Sequence, residues 1–235
     1  MLRRAILLSL VLSCLAHGIR GHTEENADVA AFMHAAMASL RTAASYGRTG
    51  NVGLAQLELD DARTAWARLA ERSNAPSSAQ SFAALIATGH DRLKQADEAL
   101  AAGDGARAAA AIAALRQSLH AFRREAGVVE LSDCVFGLSP VMNELRNAAI
   151  RFAAGKADAG DVVQAGTALR ERLQRCSGLA TPDVASQAEF RRLIDGATAS
   201  AGEIGRAARE GDAGLVHRYE IELQSFVNLL DFRFG

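Results

Sequence analysis

Residues 99–124 read ALAAGDGARAAAAIAALRQSLHAFRR, and the plan of the chain comes from that stretch because a second one, RAAREGDAGLVHRYEIELQSFVNLLDFR at 206–233, repeats it. Sliding one onto the other by 108 positions needs no gap. Phe82 then falls on Phe190, Leu85 and Ile86 on Leu193 and Ile194, Gly103-Asp104 on Gly211-Asp212, and Leu115 on Leu223. The pattern is helix, tight turn, helix. Gly103 or Gly211 closes the first helix, since glycine alone enters the left-handed conformation without steric cost. Asp104 or Asp212 caps the next helix and suits its positive dipole end. The chain reads as a duplicated helical protein.

Composition agrees. Of the 235 residues 49% are hydrophobic, but the surplus is alanine and only 5% are aromatic. Few stretches alternate with period two, so a sheet is not expected. Val29, Met33, Ala36, Leu40 and Ala43 step by three and four, which marks one face of a first helix. Leu59, Ala62, Trp66 and Leu69 do the same for a second, Phe82 to Leu100 for a third, and Ile112, Leu115, Leu119 and Phe122 for a fourth. The expected fold is all-α, with two tandem up-down-up-down four-helix bundles, residues 27–124 and 138–233. AGVVELSDCVFGLS lacks the periodicity, so 125–137 is read as a linker. Ser139-Pro140 and Thr181-Pro182 are read as cap-then-proline helix starts in the second half.

MLRRAILLSLVLSCLAHG, residues 1–18, reads as a signal peptide, with basic Arg3 and Arg4, an apolar run and an Ala-x-Gly cleavage site. The run is shorter than the roughly 20 apolar residues of a membrane span. Val11-Leu12-Ser13-Cys14 loosely resembles a lipoprotein box, which would make Cys14 a lipid anchor. Losing residues 1–18, with their two arginines, moves the formal charge from −1 to −3, so no basic surplus invites nucleic acid. The expected location is periplasmic or secreted. Cleavage leaves Cys134 and Cys176, an even count for an oxidising compartment. They fall at the same end of a predicted hairpin, and a structural disulfide is expected between them.

The two halves also share Met-x-x-Leu-Arg-x-Ala-Ala, at Met37 to Ala44 and at Met142 to Ala149. Together with the Phe82-to-Leu115 and Phe190-to-Leu223 spacings, this resembles the soluble periplasmic cytochrome b562 family, over nearly the whole of each half. The resemblance implies a b-type haem held between a methionine of the first helix and a histidine near the end of the last. Carried over, the methionine falls on Met37 and on Met142, and the histidine on Arg123 and on Asp231. Guanidinium stays protonated, and a carboxylate is an uncommon ligand for haem iron. No Cys-x-x-Cys-His exists for covalent attachment. His120 lies three residues before Arg123, about 60° round the helix. A Met37/His120 or His34/His120 pair is therefore the haem reading of the first half. Against it, His34, His90 and His120 read as residues on or near the bundle surface, and Met33, Met37 and Met142 as core fillers.

No Glu-x-x-His pair, His-Glu-x-x-His or phosphate loop is present, so an enzyme is not expected. Neither is a metal site. The first functional expectation is a haem-free exported binding or scaffolding module of b562-like ancestry, with no cofactor. The alternative is an electron-transfer protein with one non-standard haem b site in the first repeat.

Overall fold

The computed structural model describes residues 28–73 and 80–235. The signal peptide read over residues 1–18, Cys14 included, lies outside the described residues, as do residues 19–27 and 74–79. Every regular element among the described residues is an α-helix. In chain order these are α1 (28–48), α2 (Val52–Ser73), α3 (Gln80–Ala101), α4 (Gly105–Glu125), α5 (Leu131–Phe136), α6 (Leu138–Ala153), α7 (Ala159–Leu179), α8 (Pro182–Ala185), α9 (Ala188–Arg209) and α10 (Ala213–Phe234). The chain divides into two compact units, one ending at Phe122 and the other starting at Arg123. Among the described residues no helix is long and apolar enough to cross a membrane.

The repeated turn has the expected chemistry in both places. Gly103 and Gly211 have φ of 74° and 76°. Asp104 N–H donates back to the Ala99 carbonyl and Gly103 N–H to that of Leu100, a Schellman closure, and Asp212 and Gly211 repeat it on Ala207 and Ala208. Each carboxylate then caps the next helix. Asp104 accepts from Arg107 N–H at 2.9 Å, and Asp212 accepts from Leu215 N–H at 2.9 Å.

Each unit has its own apolar cluster. In the first, Met37 and Leu40 of α1 join Leu59, Trp66 and Leu69 of α2, Leu93 of α3 and Leu115 of α4. The indole of Trp66 lies over Gly89, where a Cβ would run into the ring, and its Nε1–H donates to the Ile86 carbonyl at 3.3 Å. In the second unit Met142 and Leu145 join Leu173, Phe190, Leu223 and Leu230. There α6 packs on α7, α7 on α9, α9 on α10, and α10 back on α6. Matching the buried positions of α2 to those of α7 sets Trp66 against Leu173, and the repeat sets Gly89 against Ala197. A large–small pair in one core thus answers a medium–small pair in the other. The two sizes trade against each other, as close packing requires.

Three sequence readings are corrected. The 125–137 segment is not an irregular linker, because it holds α5 with Asp133, Cys134 and Val135 buried. Six residues are too few to show a helical period. What holds the helix is its cap, where Asp133 accepts from Glu130 N–H at 2.8 Å, together with its packing on α7 and α10. Gly137, not Ser139, is the N-cap of α6. Thr181-Pro182 does open a helix, with the threonine hydroxyl accepting from Val184 N–H at 3.4 Å, but that helix is the short α8. Extended backbone at Gln187 separates it from α9.

Candidate functional site

Met37 is 4% exposed and lies in the core cluster of the first unit between Met33 and Leu40, two helical neighbours on the buried face of α1. Met142 is fully buried in the second cluster beside Leu138 and Leu145. Both methionines of the shared signature thus lie inside the apolar clusters of their units. The arginine of that signature has a separate task in the second unit. Arg146 donates from Nε to Glu220 at 2.9 Å and from a terminal nitrogen to Gln224 at 2.6 Å.

His120 departs from its surface reading. It is 3% exposed on α4, while His34 and His90 are exposed. The reason is register: His120 follows Leu119 and stands one turn after Arg116, both buried, so the inward face of α4 widens toward its end. His217, at the start of α10, is exposed and lies 3.9 Å from Glu220.

The position that the family resemblance assigns to an axial histidine is Arg123, and its surroundings are those of an ion pair. The guanidinium pairs with Asp133 at 3.1 Å and also with Glu130. The Arg123 and Asp133 side chains are 6% and 4% exposed. A guanidinium has no lone pair to offer iron. In the second unit the same position is Asp231, half-buried on α10. Neither Arg123 nor Asp231 fits as the nitrogen ligand of a methionine–histidine haem site.

Cys134 and Cys176 are joined by a disulfide, with Cα atoms 5.3 Å apart, which ties α5 to α7. Among the described residues no group of three His, Cys, Asp or Glu side chains could hold a metal ion. Glu58 on α2 has its carboxyl raised above the usual range, first by burial and then by Asp61, with Arg41 opposing.

Sequence reading missed Glu220. It is 7% exposed on α10, at the place where the repeat puts Ile112 in α4. The signal was available as a mismatch, a carboxylate on an apolar stripe, and such a group needs a partner. Beside it, Ala149, Ile150, Ala153, Ala154, His217 and Glu220 line a shallow groove of about 350 Å³. No family model matches the chain, and neither a curated protein nor a solved structure matches it.

Proposed function

We propose that this chain is an exported, haem-free protein built of two tandem up-down-up-down four-helix bundles of cytochrome b562-like ancestry, and that it works by binding or scaffolding rather than by catalysis or electron transfer. The observation that carries the reading is Arg123. The place where the resemblance calls for an imidazole is taken by a buried guanidinium already neutralised by Asp133 and Glu130. Ligating haem there would mean breaking a buried ion pair, at about 3–5 kcal/mol. The matching turns at Gly103 and Gly211 and the matched burial of Met37 with Met142 support the duplication. Residues 1–18 and the Cys134–Cys176 disulfide support export to an oxidising compartment, periplasmic or secreted.

One observation favours a second reading. Met37 and His120 are both buried in the first unit, as ligands of a single b-type haem would be. An absorption spectrum of the exported protein, before and after adding haemin, separates the two readings.

A further inference from the structure

We infer that the second unit carries an oxyanion site for a phosphoryl group, built on Arg172 of α7 with Arg175 and Arg124 beside it. The Arg172 guanidinium lies against Gly137, between α5 and α6. A Cβ on that glycine would collide with a terminal nitrogen, so glycine leaves the room that the side chain fills. The Arg172 Nε is buried and has no hydrogen-bond partner among the described residues. Buried donors without a partner are rare in folded proteins, and each one asks for an explanation. Arg175 stands one turn further along the same face of α7. Neither it nor Arg124 holds an ion pair among the described residues, whereas Arg123, next to Arg124, takes the carboxylates of Asp133 and Glu130. Burial first, and then the charges of Arg175 and Arg124, push the Arg172 pKa below the usual arginine range.

The covalent frame suits a site that must be ready before its ligand arrives. Cys176 follows Arg172 by one turn of α7, and Cys134 precedes Gly137 by one turn of α5. The disulfide therefore holds both walls in one register, and a preorganised site loses less on binding. A planar guanidinium fork matches an oxyanion, and three clustered positive charges favour a doubly charged one over a carboxylate. Phosphate is the simplest such group. It occurs free and on the headgroups of anionic lipids.

The test uses the mature chain with its disulfide intact and inorganic phosphate as the probe, in a calorimetric titration at low salt. Saturable binding that weakens as sodium chloride is added is expected. Arg172→Gln should weaken it about tenfold, the loss of one charge-assisted hydrogen bond. Arg175→Gln combined with Arg124→Gln, both at exposed positions that leave the core alone, should weaken it at least as much. Arg191→Gln, which removes a surface pair with Asp195, should leave binding unchanged. Displacement of phosphate by phosphatidylglycerol vesicles, but not by phosphatidylcholine vesicles, would assign the site to a lipid headgroup, and no displacement would assign it to free phosphate. No saturable binding up to tens of millimolar phosphate, or binding that the arginine variants leave unchanged, would overturn the inference.

Discussion

Arg123, in the last turn of α4, holds Asp133 of α5 at 3.1 Å in a pair that is almost wholly removed from solvent. The pair ties the end of one long helix to the short helix after it. It also occupies the position where the family resemblance calls for a haem ligand.

Breaking that pair from one side should be costly. Asp133→Ala leaves a buried guanidinium with only the half-exposed Glu130, and should destabilise the second unit by about 3 kcal/mol. Replacing both residues by apolar ones, Arg123→Met with Asp133→Leu, should recover the share of the loss that comes from the unpaired buried charge, but not the share that comes from losing the Asp133 cap on Glu130 N–H. Urea unfolding of the single and double variants measures both. A double variant no better than Asp133→Ala would show that the pair is needed for more than charge balance.

Gly89→Ala should destabilise the first unit by about 1–3 kcal/mol through overpacking, because its Cβ would enter the Trp66 ring. Trp66→Leu in the same chain should relieve the clash, giving a coupling of opposite sign to the single losses. The second unit already holds leucine and alanine at the matching positions, Leu173 and Ala197. Thermal melts of the two single variants and the double variant decide it, and strict additivity would mean that the indole moves aside freely.

The disulfide closes a separation of 42 residues, which in the chain-entropy model stabilises by about 4 kcal/mol. Reduction, or Cys134→Ser with Cys176→Ser, should lower the melting temperature of the second unit and leave the first unchanged. Scanning calorimetry with and without reductant checks this. Two reactive thiols in the unfolded, unreduced protein would contradict it at once.

These outcomes rest on features of unequal visibility in the sequence. The helices and their repeat were legible because Leu, Phe and Ile recur at steps of three and four, and because Gly103-Asp104 and Gly211-Asp212 carry the chemistry of a helix end. The Cys134–Cys176 bond was legible from count and placement. α5 was not, because a six-residue helix has no period to display and is held by the Glu130–Asp133 cap and by packing on distant helices. The burial of His120 was hidden for a similar reason. A helix face widens or narrows according to what packs on it, and one histidine at the edge of an apolar stripe gives no sign of which occurs. The Arg123–Asp133 pair lay in plain view as two charges ten residues apart. Only the path of the chain between them shows that they meet.

The proposal that neither unit holds haem is tested most directly by titrating the purified protein with haemin and recording its absorption spectrum. No sharp low-spin Soret band should develop at one equivalent, because Arg123 and Asp231 stand where the resemblance would call for histidine, and Met37 and Met142 lie in the apolar clusters. A sharp low-spin Soret band at stoichiometric haem, abolished by Met37→Ala or His120→Ala, would contradict this and return the first unit to electron transfer.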